Sequence, residues 1–308
     1  MFYRRKVILA LLQKFNGKLS NTRLQKLLFL FTLYQSHMEP TKRSFDFVPY
    51  QYGCFSFTAN QDLFTLSKYG IIAQEKSEKF SNHRSSHWKL KSNEDFLIQL
   101  KEKDRNILDH VKSNYGTLSK DELIRLTYLE YPYYAIKSKI ASTLLNESEL
   151  QLINNQKITD TEKQLFTIGY EGISFENYLN KLIINNIQIL CDVRKNPLSM
   201  KYGFSKSQLQ NACKSLDITY LHIPELGIKS EKRKNLKNLL SYTKLFDEYE
   251  RTTLKENSTY LKKIADLFFE YNRVALTCFE KEPCMCHRSK VAQGLEELPD
   301  WKIPIKHL

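Results

Sequence analysis

The sequence predicts two domains, an N-terminal α+β domain and a C-terminal α/β domain built on a mostly parallel sheet. The N-terminal half shows helical periodicity followed by two short strands joined by a basic loop. The C-terminal half alternates short apolar strands with amphipathic helices, which is typical of a parallel sheet covered by helices. With 308 residues, the chain is long enough for two domains that each have a core.

The composition is that of a globular protein with a strong positive charge. Hydrophobic residues make up 42% of the chain, and the formal net charge is +13. This excess favours polyanionic partners, nucleic acid first and DNA over RNA, although a Lys-rich composition of the whole proteome would also produce it. The apolar runs are too short to span a bilayer, and the N-terminus shows no cleavage site. We therefore expect a cytoplasmic protein with no membrane partner, and a homodimer is a candidate assembly.

The first domain is predicted over residues 1–140. A short helix is followed by a second one that Ser20 caps, and a third helix ends at Gly70. Two strands then flank the loop 75–85, which is rich in basic and polar side chains. Helices followed by a hairpin with a basic tip describe a winged helix. The loop residues that we expect to contact phosphate or the minor groove are Lys79, Asn82, His83 and Arg84.

Three runs of this domain, LQKLLFL, FDFVPYQYGCFS and DLFTLSKYGII, resemble a bacterial winged-helix family. Cys54 stands where that family usually has proline, which concerns the local turn more than the fold. The later pair Ser119 and Glu122 has the spacing of a capping box. The resemblance implies either a DNA-binding module or a protein–protein interaction module, since winged helices serve both purposes.

A polar segment without sustained periodicity, residues 141–164, is predicted to be a linker, and the second domain covers residues 165–308. Polar side chains follow the predicted strands of this domain at their carboxyl ends. Because these ends meet at one edge of a parallel sheet, they predict a ligand crevice there. The side chains brought to this edge are Tyr170, Asp192, Arg194, Glu225 and Glu280, with Cys286, His287 and Arg288 opening the next helix.

The motifs T-I-G-Y-x-G, D-V-R-x-x-P-x-S, P-E-L-G and C-x-E-x-x-x-x-x-C-H-R resemble, in this order, the domain of unknown function 488 family. The resemblance implies a Rossmann-like domain with a presumed catalytic crevice, and it carries no settled reaction. Cys284 is an additional cysteine relative to that pattern. The positions that the resemblance marks are Gly169, Tyr170, Asp192, Arg194, Pro197, Ser199, Glu225, Gly227, Glu280, Cys286, His287 and Arg288.

Several of these residues suit defined chemical roles. Arg194 and Arg288 could grip a phosphate or carboxylate, with Ser199, Gly169 and Glu225 beside them, or could serve as ion-pair partners instead. Glu280 and Asp192 suit a nucleophile and acid/base pair on a glycosidic bond, with Tyr170 nearby, or could be struts that orient the arginines.

The cysteines offer two further alternatives. Cys286 beside His287 could act as a thiolate nucleophile activated by the helix N-terminus. A zinc site from Cys278, Cys284, Cys286 and His287 is disfavoured, because C-x-C-H packs ligands tightly and the sequence lacks a C-x-x-C pair. No cofactor is therefore predicted.

These patterns together predict a nucleic-acid-associated enzyme. A DNA-binding module would guide an α/β domain that acts on a nucleotide or nucleic acid, through N-glycosidic or base-modification chemistry, in DNA processing or phage defence. The alternative is a transcriptional regulator whose α/β domain senses a small anionic ligand. A third class is a scaffold that keeps an inactive pocket.

Overall fold

The computed structural model describes residues 1–76, 86–233, 236, 239–299 and 301–308. By its internal contacts the chain divides into two compact units, Met1–Lys157 and Ile158–Leu308. Among the described residues, no helix is both long and apolar enough to cross a membrane.

The N-terminal unit packs its helices around an apolar core and against a small antiparallel sheet with the strand order β1-β5-β4. The short strand β1 was not predicted, and it pairs with β5 from Lys18↔Lys89 to Ser20↔His87. The elements of this unit are α1 (Tyr3–Lys14), β1 (Lys18–Ser20), α2 (Asn21–Met38), β2 (Val48–Tyr50), β3 (Gly53–Phe55), α3 (Phe57–Lys68), β4 (Ile72–Lys76), β5 (Ser86–Leu90), α4 (Glu102–Tyr115), α5 (Lys120–Glu130), α6 (Ala141–Leu144) and α7 (Glu147–Asn154).

The helix caps of this unit follow the local sequence signals. The Ser20 hydroxyl accepts a hydrogen bond from the Arg23 amide at 3.3 Å and so begins α2. Ser119 and Glu122 form the predicted capping box at the start of α5, with each side chain bonded to the other residue's amide. These two predictions are confirmed.

The predicted linker differs from what the structure contains. Residues 141–154 form α6 and α7, and Ile153 lies in a core cluster together with Ala141 and Leu145. Helix α7 begins with a second capping box, in which Asn146 accepts from the Glu149 amide at 3.0 Å. The helices are short and mostly polar, which explains why hydrophobic periodicity did not reveal them.

The C-terminal unit is built on a five-stranded sheet with the order β10-β6-β9-β7-β8, in which all pairs are parallel. The predicted α/β class with a parallel sheet is therefore confirmed. The elements of this unit are β6 (Gln164–Gly169), α8 (Phe175–Ile184), β7 (Ile189–Asp192), α9 (Lys206–Ser215), β8 (Thr219–His222), α10 (Leu239–Tyr249), α11 (Ser258–Tyr271), β9 (Arg273–Cys278), α12 (His287–Glu296) and β10 (Ile305–His307).

Two glycines let the loops at the carboxyl edge of this sheet approach one another closely. A Cβ atom on Gly169 would lie 1.9 Å from the Glu280 carbonyl oxygen, and one on Gly227 would lie 2.2 Å from the Lys195 amide nitrogen. Both distances are far below contact, so any side chain at these positions would push the backbones apart. Gly169 thus allows the end of β6 to contact the loop after β9. Gly227 allows the loop after β8 to contact the loop after β7.

Candidate functional site

An ion pair between Asp192 and Arg194 anchors the loop that follows β7. The Arg194 Nε and Nη2 atoms donate to the two Asp192 oxygens at 2.8 and 2.5 Å. The same carboxylate also accepts from the Arg194 amide at 3.1 Å and from the Tyr220 hydroxyl at 2.6 Å. Since Asp192 is fully buried and accepts two hydrogen bonds on each oxygen, it acts as a strut. The structure therefore favours Arg194 as the ion-pair partner of Asp192 over Arg194 as a side chain that is free to bind a ligand.

Tyr170 is the next member of this network. Its hydroxyl accepts a hydrogen bond from Arg194 Nη1 at 2.8 Å, and its ring stacks on Phe204 at 4.2 Å between centroids. Burial raises the pKa of Tyr170, and the neighbouring Arg194 only partly opposes this shift. Tyr170 consequently keeps its proton at neutral pH and lines the crevice as a neutral aromatic wall.

Arg288 was predicted to bind a phosphate or carboxylate, but the structure places it in the interior. Its guanidinium is 1% exposed and donates to the carbonyl oxygens of Glu280 and, at 2.8 Å, Lys281. These contacts fix the backbone of the loop after β9 against the start of α12. Because the guanidinium is enclosed and its N–H groups donate to carbonyl groups, it is not available to bind a phosphate in the crevice.

Glu280 lies where β9 leaves the sheet, and its charge is compensated by Arg233. Glu280 Oε1 accepts from Arg233 Nη2 at 2.7 Å, and Oε2 accepts from the Cys278 thiol at 3.4 Å. Burial opposes ionisation of the carboxyl, but the Arg233 charge and a hydrogen bond from Cys286 hold the pKa of Glu280 below its ordinary value. Glu280 is therefore an ionised carboxylate with a partly exposed side chain.

Cys278, Cys286 and His287 form a buried cluster beside this carboxylate. Their ligand atoms all lie within 4.8 Å of one another, and each residue is at most 1% exposed. Burial and the hydrogen bond with Cys278 raise the pKa of Cys286 well above the ordinary thiol value. An enclosed, protonated thiol is a poor nucleophile, so the geometry does not support covalent catalysis by Cys286. Cys284 is exposed and is not part of this group.

A cleft of about 270 Å³ opens at the carboxyl edge of the sheet. Tyr170, Arg194, Ser199, Arg233 and His287 all line it, which brings together side chains from the ends of β6 and β7, the loop after β8 and the start of α12. Glu280 is joined to this cleft through its ion pair with Arg233. A cleft therefore opens at the predicted edge, and four of the predicted residues line it, while Asp192, Glu225, Glu280, Cys286 and Arg288 are not among its lining residues.

Two predicted members of the site lie elsewhere. Glu225 lines a neighbouring cavity of about 370 Å³ together with Gly227 and Lys229. Gly169 serves the close approach of the Glu280 backbone and offers no group to a ligand. The predicted wing residues Lys79, Asn82, His83 and Arg84 lie outside the residues that the structure describes.

Arg233 is the residue that sequence reasoning missed. It stands in the charged stretch after P-E-L-G, where Lys, Arg and Glu alternate as they do on a solvated helix. No local signal marks it, because its position beside Glu280 depends on how the chain after β8 packs against the loop after β9.

Comparison with known proteins gives a match to a family model that covers this site. No curated protein matches the chain. Residues 174–295 match the family described as Domain of unknown function DUF488. The match contains β7, β8, β9 and all but the last residue of α12, and with them Asp192, Arg194, Glu280 and the Cys–His cluster. The model of this family thus matches most of the C-terminal unit, Ile158–Leu308.

Proposed function

We propose that the chain is a nucleic-acid-associated enzyme whose C-terminal crevice acts on a nucleotide or a nucleic acid. The observation that carries this proposal is the ionised Glu280 carboxylate, which Arg233 holds beside a cleft at the carboxyl edge of a parallel sheet. This edge is where open α/β sheets bind their ligands. Glu280 is the reacting group, and the Asp192–Arg194 pair is the frame that shapes the cleft.

The state of Glu280 limits the chemistry it can perform. A carboxylate with a lowered pKa is a base or a nucleophile at neutral pH and a poor proton donor. Arg233 is 26% exposed in its side chain and lies in the cleft, so it is placed to attract an anionic group such as a phosphate. A carboxylate and a guanidinium side by side suit attack on, or proton removal from, a phosphate-bearing substrate.

The N-terminal unit supplies a surface for the nucleic acid. A groove of about 620 Å³ is lined by four Lys or Arg side chains and one His, and none of its lining residues is acidic. Such a groove suits phosphate contacts. Residues 1–156 as a whole are also basic, with 23 Lys and Arg against 15 Asp and Glu. The helices and the three-stranded sheet of this unit have the order expected of a winged helix. The five lining side chains are Lys18, Arg23, His87, Lys112 and Lys120.

The groove is tested by salt dependence. The double variant Lys112→Gln and Lys120→Gln should weaken binding of the full chain to a DNA duplex. The slope of log affinity against log salt should fall by about 0.9 for each lost phosphate contact. Lys103→Gln is the matched control, since Lys103 lies on the same helix α4 but lines a different groove. An unchanged slope in the double variant would move the N-terminal unit to the protein-interaction class.

The reaction is tested by a substrate screen on the full chain. Duplex DNA, single-stranded DNA, RNA and a mixture of nucleoside mono-, di- and triphosphates are incubated with the protein, and products are identified by mass spectrometry. The proposal expects conversion of at least one of these substrates. Saturable nucleotide binding without conversion of any of them would favour the alternative, a DNA-binding regulator that senses an anionic ligand.

A further inference from the structure

The Cys278–Cys286–His287 cluster has the composition and spacing of a transition-metal site. Cys278 ends β9, and Cys286 and His287 begin α12, so that two separate elements supply the three groups. The Cys278 Sγ atom lies 3.7 Å from His287 Nδ1, and all three potential ligand atoms lie within 4.8 Å of one another. The 3.7 Å separation is close to that of two ligand atoms that each lie about 2.0–2.3 Å from one tetrahedral metal ion.

The orientation of the imidazole also suits a metal ligand. His287 Nε2 lies 2.9 Å from the Val193 carbonyl oxygen, which can only accept, so this nitrogen carries the proton. The unprotonated Nδ1 then lies 3.7 Å from Cys278 Sγ, with Arg233 Nη2 at 3.5 Å on the same nitrogen, so a metal ion would take the place of this weak contact. Metal-ligating histidines are commonly fixed in this way, with the second ring nitrogen donating to a backbone carbonyl group.

Charge balance at the cluster allows a divalent ion to be buried there. Binding would release the two thiol protons, and the charge of two thiolates would neutralise that of the ion. The neighbouring Glu280 and Arg233 already compensate each other at 2.7 Å. A neutral metal centre beside a neutral ion pair avoids the cost of an uncompensated buried charge.

The tight C-x-C-H spacing does not argue against this arrangement. Cys284 is exposed and contributes no group to the cluster, while Cys278 supplies the second sulfur from the neighbouring strand. Two sulfur ligands and one imidazole favour zinc among the common divalent ions. Glu280 Oε2 lies 3.4 Å from Cys278 Sγ and is therefore next to the cluster.

We infer that Cys278, Cys286 and His287 bind one zinc ion at the base of the crevice, next to the Glu280 carboxylate. This inference does not depend on the proposed reaction. Zinc binding is measured without any substrate. Its result is therefore independent of whether the chain converts a substrate.

The test uses the full chain purified under reducing conditions. Elemental analysis should find one zinc per chain. After removal of the metal by a chelator, titration with Co²⁺ should produce the thiolate-to-cobalt charge-transfer absorption and saturate at one ion per chain. Cys284→Ser is the matched control and should behave like the wild type. Cys278→Ser and Cys286→Ser should each lower the affinity for the ion by more than about 100-fold, beyond the effect of losing an outer hydrogen-bond partner.

The wild-type titration decides the question even where a buried cysteine variant does not fold. A reduced wild-type chain that contains no zinc and gives no thiolate–cobalt absorption would overturn the inference. Loss of the absorption in Cys284→Ser to the same extent as in Cys278→Ser would also overturn it. Mass analysis that finds a Cys278–Cys286 disulfide in protein that binds no metal would assign the pair a redox role instead.

Discussion

The Asp192–Arg194 pair makes a strong prediction about stability. In Asp192→Asn, the Arg194 guanidinium stays buried at 4% exposure but loses its counter-charge, and the Tyr220 hydroxyl loses a charged acceptor. Breaking a buried ion pair by removing one partner costs about 3–5 kcal/mol. We therefore expect the free energy of unfolding of the C-terminal unit to fall by about that amount.

Hydrogen exchange on the full chain measures this change locally. A loss of about 3–5 kcal/mol raises the opening equilibrium of β7 by roughly 100- to 4,000-fold, since each 1.4 kcal/mol is a factor of ten. Peptides from the N-terminal unit serve as an internal reference. Asp266→Asn, an exposed position on α11, is the matched control and should change exchange by less than about 0.5 kcal/mol.

The opposite result would identify Asp192 as a reacting group. If Asp192→Asn exchanged like the wild type while losing substrate turnover, the carboxylate would not be a strut. The interpretation of Asp192 and Arg194 as the frame of the crevice would then be wrong, and their sequence-based assignment as catalytic and ligand-binding residues would stand.

Three further substitutions test other parts of the account. Tyr220→Phe removes one hydrogen bond to a charged acceptor and should cost about 1.5–3 kcal/mol, measured by urea unfolding, while a loss below about 0.5 kcal/mol would contradict the network. Gly169→Ala places a Cβ atom 1.9 Å from the Glu280 carbonyl oxygen. Calorimetry should therefore record a destabilisation of about 1–3 kcal/mol, and wild-type stability would refute the close approach. Burial lowers the pKa of Lys26, so the folded amine loses its proton before the unfolded one and wild-type stability should rise with pH in that interval. The stability of wild type relative to Lys26→Met should therefore increase as pH rises through the folded pKa, and a pH-independent difference would argue against this shift.

The sequence predicted the sheet and the position of the crevice, because both follow from local patterns. Apolar β-branched runs identified the strands, and the polar residues that follow them had to meet at one edge of a parallel sheet. Helix caps at Ser20 and Ser119 were equally local. The capping box at Asn146 and Glu149 was the corresponding signal for α7, a helix that lacks a long apolar stripe.

The partners of individual side chains could not be predicted in the same way. An arginine at a strand end can hold a ligand, a carboxylate or a carbonyl group, and only its enclosure decides among them. Arg288 is enclosed and fixes a loop, whereas Arg233, from a stretch that resembles a solvated helix, lines the cleft. The Cys278–Cys286–His287 cluster likewise depends on the packing of β9 against α12, which residue spacing does not specify.

Glu280 provides the most direct test of the central claim. Glu280→Gln should abolish conversion of the substrate found in the screen and leave the duplex affinity of the full chain close to wild type. The melting temperature should fall only modestly, because the Arg233 side chain is 26% exposed and can be hydrated once its partner is neutral. Glu282→Gln, an exposed position in the same loop, is the matched control and should retain turnover. All three quantities are measured on the same preparations. A Glu280→Gln variant that is destabilised, yet turns over substrate as fast per folded molecule as the wild type, would contradict the account and leave the crevice as a binding pocket.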